Sequence, residues 1–97
     1  MKEEDLNEII ICFKSWHDNF VKEESNIKNN TLRKIDLSDD RFIKLIAMKE
    51  TGNYGFIEIE EKTILDSNDS FRRKIRDVTI FDDWIIITWE EKEESLE

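Results

Sequence analysis

The chain is 97 residues long, 38% hydrophobic and 40% charged, and its 24 acidic against 15 basic side chains leave a net charge of −9. That length provides one domain with one modest core, and the acidic surplus argues against nonspecific binding to nucleic acid or anionic membrane, where affinity comes from neutralising phosphates with lysine and arginine. One Cys, two Gly and no Pro exclude a disulfide framework, a thiolate zinc site and glycine-rich phosphate loops, so no cofactor and no enzymatic activity are expected.

From the N-terminus, Leu6, Ile9, Ile10, Phe13, Trp16, Phe20 and Val21 fall on one stripe at roughly 100° per residue, which predicts an amphipathic helix over residues 3–24. Glu3, Glu4 and Asp5 suit the positive end of its dipole, and Asn26, Asn29 and Asn30 can stop it. On that wheel His17 sits at the core edge with no nucleophile in register, which disfavours a catalytic base. Cys12 lies too far round the same helix to form a dyad with His17 and reads as a small flanking hydrophobe. Ile11 points to the polar side.

Residues 32–37 read as a short edge strand, with a turn at Asp36, Ser38, Asp39 and Asp40. Residues 41–49 and 56–65 read as paired strands joined through 51–55, where Gly52 and Gly55 can take positive φ. Phe42, Leu45, Ile46 and Lys49 also keep a helical spacing, as do Phe71, Ile75 and Val78, but a strand is the preferred reading at 41–50 and at 69–78. The last hairpin is 78–81, a turn at Asp82 and Asp83, and 84–90; residues 90–97 form an acidic run expected to fray. The expected fold is therefore a single α+β domain over 1–97, with an N-terminal amphipathic helix packed on a four- or five-stranded, mainly antiparallel sheet.

Trp84 and Ile86 alternate with Ile85, Ile87 and Trp89, so the last strand is apolar on both faces. Either the sheet curls strongly around its own core or its second face meets another molecule.

Asp66, Asn68, Ser70 and Asp77 stand in a calcium-loop register, but Phe71 occupies the position of the required glycine, and Arg72, Arg73, Lys74 and Arg76 would repel the ion. The same four cations could contact phosphate, yet their acidic surroundings favour internal ion pairing. Asp39 with Asp40, and Asp82 with Asp83, read as turn residues rather than as metal sites.

The acids remain as the functional signal. Glu58 and Glu60 share one parity of a strand, Asp82 and Asp83 mark a turn, and Glu90 and Glu91 continue the final strand. Carboxylates fixed on a sheet can imitate a phosphate array, and Tyr54 or Trp84 would serve as an aromatic anchor.

Abundant Ile, Lys and Asn with a single Ala point to an AT-rich genome, such as that of a low-GC bacterium, its phages or mobile elements. In size and charge the chain resembles toxin-immunity proteins and phage-encoded anti-defence proteins, anti-CRISPR proteins among them; the resemblance rests on composition and specifies no residue. It implies an inhibitor that occludes a basic partner, whether a nuclease, a toxin or a CRISPR effector, without touching nucleic acid. A homodimer or adaptor burying an apolar sheet face is the alternative. No apolar run approaches the ~20 residues of a membrane span and the chain opens acidic, so a cytoplasmic location is expected.

Overall fold

The computed structural model describes residues 5–25, 27–62 and 69–91. A 3-10 turn (Leu6–Glu8) leads into β1 (Ile10–Trp16), followed by α1 (His17–Glu24), β2 (Asn30–Lys34), α2 (Asp40–Thr51), β3 (Phe56–Lys62), β4 (Ser70–Phe81) and β5 (Trp84–Trp89). The strands form one sheet in the order β1-β3-β4-β5-β2. β1 and β3 run parallel, and the other three pairings are antiparallel. The architecture is thus α+β, with two helices and a mixed five-stranded sheet.

The expected helix over 3–24 is overturned: a strand precedes the first helix. Along β1 burial alternates strictly, with Ile11, Phe13 and Ser15 inside and Ile10, Cys12, Lys14 and Trp16 outside. The same apolar residues satisfy a helical stripe, but adjacent isoleucines followed by Phe and Trp lose rotamer freedom in a helix and gain packing on a pleated surface. A parallel neighbour, with Ile11 beside Ile57 and Phe13 beside Ile59, decides for the strand. Ile11 is consequently in the core and His17 is exposed, the reverse of the wheel. Only residues 17–24 keep the helical period, burying Phe20 and Glu23.

The second correction concerns 41–49, which is helix rather than the first arm of a hairpin. The Asp39 carboxylate accepts the Arg41 N–H at 3.0 Å as an N-cap, while Gly52, at φ 75°, ends the helix with its N–H on the Met48 carbonyl at 2.8 Å. Phe42, Leu45 and Met48 form its buried stripe. The strand reading holds at β4 and at the β4–β5 hairpin around Asp82 and Asp83, while the edge strand expected over 32–37 is found as β2 over Asn30–Lys34, so that residues 35–37 lie outside it.

β4 is shared between two halves of the sheet. Residues 70–74 pair with β3 and residues 75–81 with β5, with a register shift between Ile75 and Asp77. A bulge there sharpens the local bend. The sheet curls until its two outermost strands approach, and Arg33 Nη2 on β2 donates to the Ser15 hydroxyl on β1 at 3.1 Å. Its concave face holds the core, where Phe13 meets Phe42 of α2 edge-on at 5.8 Å, and Phe71 packs between Phe20 of α1 and Trp89 at 5.4 and 6.0 Å. Ile57, Ile59, Ile85 and Ile87 are fully buried between them, each contributing about 1.5–3 kcal/mol of apolar transfer. Curvature and two helices thus bury one face of β5, leaving Trp84 and Ile86 on the convex side.

Candidate functional site

The β4–β5 turn consists of Asp82 and Asp83, and Asp82 adopts φ 52°, a left-handed conformation that Asp tolerates. On either side of it Phe81 and Trp84 face one another in register and are 66% and 41% exposed. Ile86 lies beside Leu32 of β2, which is 52% exposed. Paired residues share a face and alternate residues share a parity, so Phe81, Trp84, Ile86 and Leu32 form one apolar strip on the convex side, tipped by two carboxylates.

The other acids lie elsewhere. Glu58 and Glu60 occupy the convex face of β3, where Glu58 accepts a hydrogen bond from Arg72 Nη2 at 2.9 Å. Glu90 and Glu91 follow β5 at its opposite end, roughly 23 Å along an extended strand from Asp83. There the Glu90 N–H binds the Lys74 carbonyl at 2.9 Å. Lys74 in turn donates its ammonium to the Tyr54 carbonyl, and the Tyr54 hydroxyl lies 3.5 Å from Asp77. Of the residues singled out from the sequence, Asp82, Asp83 and Trp84 stand together at the hairpin tip, Glu58 and Glu60 share the convex face of β3, and Tyr54 and Glu90 are linked through Lys74, with Glu91 next in the chain.

The basic run of β4 is dispersed by strand alternation. Arg72 pairs with Glu58, whereas Arg73 stacks at 4.7 Å on Phe71 and donates to the Glu24 carbonyl at 3.1 Å. Asp66 and Asn68 of the calcium-loop register lie outside the described residues. Among those described, no group of three His, Cys, Asp or Glu side chains is placed to hold a metal ion.

His17 opens α1 and hydrogen-bonds through Nδ1 to Glu61; that bond, and then the carboxylate's charge, push the imidazole above its usual value. Cys12 lies on the convex face with its Sγ 3.8 Å from Glu58. Burial first, and the Glu58 charge second, push this thiol up.

A feature absent from the sequence reading is a cleft of about 450 Å³ along the outer edge of β1, lined by Lys14, Trp16, Arg33, Arg41, Glu60 and Lys62, among others. Its floor includes Phe13, whose ring carries two guanidiniums, with Arg33 Cζ 4.8 Å and Arg41 Cζ 4.4 Å from the centroid. Arg41 is fixed by Asp39 at 2.6 Å and by the Cys12 carbonyl at 2.6 Å. Arg33, half-buried, donates to the Thr31 and Ser15 hydroxyls. Burial pushes the Arg33 guanidinium below its ordinary value, Glu23 opposes that shift and Arg41 adds to it. The four cations come from β1, β2, α2 and β3, so no sequence window contains the cluster. The one local signal was alternation, which puts Lys14 and Trp16 on the same side of a strand.

No helix among the described residues is long and apolar enough to cross a membrane. The sequence matches no protein-family model, and no curated protein matches it significantly.

Proposed function

We propose that the protein is a non-enzymatic inhibitor that inserts its β4–β5 hairpin tip into the basic cleft of a nucleic-acid-acting protein in the cytoplasm, a nuclease, a toxin or a CRISPR effector. The observation that carries this reading is the pairing of two exposed carboxylates, Asp82 and Asp83, with two exposed aromatic rings, Phe81 and Trp84. Adjacent carboxylates on a rigid turn replace phosphates against arginine and lysine, the aromatic rings provide the desolvated contact that dominates such interfaces, and a net charge of −9 steers the approach to a basic surface. Glu58, Glu60, Glu90 and Glu91 contribute to that long-range field rather than to the contact itself.

The test is affinity capture from the native host's lysate at low salt, eluted by a salt gradient, with the wild type beside an Asp82→Lys/Asp83→Lys variant. The expected result is a basic nucleic-acid-acting protein that is released by salt, is lost from the variant and is inactivated by the purified wild type. Capture that survives the double charge reversal overturns the reading.

A second reading rests on Leu32, whose exposed side chain extends the apolar strip to the edge strand β2. Two copies joined there would form a dimer insensitive to salt. Sedimentation equilibrium in low and high salt separates the two readings.

A further inference from the structure

Independently of the hairpin tip, the cleft along β1 gathers Lys14, Arg33, Arg41 and Lys62 in a chain whose overall charge is strongly negative. Bringing like charges together is unfavourable, and half-burying one of them adds a desolvation cost. Within the cleft, Asp39 compensates Arg41 at 2.6 Å, and Glu60 supplies one further negative charge. Glu23, behind Arg33, is sealed from solvent and has its own cation in Lys28 at 3.7 Å. Among the described residues Arg33, Lys14 and Lys62 have no carboxylate within ion-pair distance. Two positive charges are therefore left without a counterpart, the charge that a phosphate monoester carries with opposite sign near neutral pH.

The shape of the cleft narrows the ligand further. A planar guanidinium presents a fork that matches phosphate oxygens, and the flanking ammonium groups add point charges. At the mouth, the Trp16 indole is 58% exposed, with the Lys62 ammonium 4.7 Å from its ring. A large apolar ring held at the lip of a cationic cleft is a stacking platform for a heterocycle. A volume of about 450 Å³ suits one nucleotide, while the net charge of −9 opposes a longer phosphate chain.

We propose that the cleft binds a nucleoside monophosphate, with its phosphate on the Arg33 guanidinium and the Lys14 and Lys62 ammonium groups and its base on the Trp16 indole. The probes are adenosine 5′-monophosphate, adenosine and inorganic phosphate, titrated at low salt and followed by calorimetry and by amide and indole N–H chemical shifts. The monophosphate is expected to bind at least about tenfold more tightly than either fragment, shifting the Trp16 indole signal. Lys14→Ala/Lys62→Ala, both on exposed positions, should weaken the nucleotide and inorganic phosphate alike by about tenfold or more. Trp16→Ala should weaken the nucleotide only, which separates a stacking role from general loss of structure. A 5′-phosphorylated oligonucleotide should bind more weakly than the mononucleotide. The proposal is overturned if millimolar nucleotide leaves these signals unmoved, if inorganic phosphate or the oligonucleotide binds as tightly as the mononucleotide, or if the lysine variant binds like the wild type.

Discussion

Arg33 on β2 and Ser15 on β1 are joined by a hydrogen bond of 3.1 Å although their strands stand at opposite ends of the sheet order. Through this contact the sheet closes around its core without a continuous backbone ladder. The same guanidinium stacks on Phe13 and lies within electrostatic reach of the buried Glu23.

Glu23 and Arg33 should respond asymmetrically to substitution. Both Glu23 oxygens are sealed from solvent and find no hydrogen-bond donor among the described residues, whereas Arg33 and Lys28 are partly in water. Arg33→Met should therefore cost about 1–3 kcal/mol, because it leaves the buried Glu23 carboxylate with the Lys28 ammonium at 3.7 Å as its one nearby cation among the described residues and removes the hydrogen bond to Ser15. Glu23→Leu should fall within about 1 kcal/mol of the wild type, and the double variant should recover most of the loss. Urea unfolding midpoints check all three; a Glu23→Leu variant that loses as much as Arg33→Met would contradict the asymmetry.

The two glycines should separate by mechanism. A Cβ on Gly55 would meet the backbone carbonyl oxygens of Ile9 and Leu6, the latter at 2.6 Å, whereas one on Gly52 would meet nothing within 4 Å. Gly52→Ala carries only the left-handed backbone cost, about 1 kcal/mol. Gly55→Ala must move the chain entering β1 and should cost at least about 2 kcal/mol more, on the scale of overpacking. Thermal unfolding of both variants provides the comparison.

The single imidazole reports on its partner by pH. Because Glu61 raises the folded-state value of His17 above 6.5, the contact is fully stabilising below about 6.5 and is lost as pH rises through the folded value. The His17 ring resonances should titrate above 6.5 in the wild type and return toward 6.5 in Glu61→Gln, and that variant's stability should depend less on pH above 6.5.

Cys12 should be a slow nucleophile despite its exposure. Burial and the neighbouring Glu58 both favour the protonated thiol, so less thiolate is present at mildly alkaline pH than for a free cysteine. Alkylation by iodoacetamide should be slower than that of a cysteine in the urea-unfolded chain. Glu58→Gln should accelerate it without reaching the unfolded rate, since burial remains.

The elements legible in the sequence are those whose local and tertiary preferences agree. The hairpin around Asp82 and Asp83 is visible because β-branched and aromatic runs flank a turn pair that suits a left-handed residue, and β4 and β5 follow directly. β1 was illegible because Ile10, Phe13 and Trp16 serve a helical stripe as well as a pleat, and its partner β3 is remote in sequence. α2 carried the opposite lesson. Asp39 and Gly52 are cap residues at the right places, and they decide for a helix where the apolar spacing alone fits two periods.

The two candidate sites divide in the same way. The hairpin tip is contiguous in sequence, so Asp82, Asp83 and Trp84 could be singled out from residue types alone. The cleft is assembled from single cations on separate elements, and it exists only because the curled sheet brings the edges of β1 and β2 together. Composition averages over exactly this kind of charge segregation, which is why a net charge of −9 gave no hint of a locally cationic surface.

The strand order has a consequence for biosynthesis. β1 is complete at Trp16 but pairs with a strand beginning at Phe56, and β2 is complete at Lys34 but pairs with one beginning at Trp84. On the ribosome both early strands emerge with their neighbours still unsynthesised, so native pairing is long-range and comes late. A translation stall before Trp84 would release a polypeptide in which β1 can already pair with β3, but Thr31 of β2 and Ile75 and Val78 of β4 face water beside unpaired backbone. Such a fragment is a substrate for chaperones and proteases, and the surplus of carboxylates is what would keep it from coagulating with its own kind.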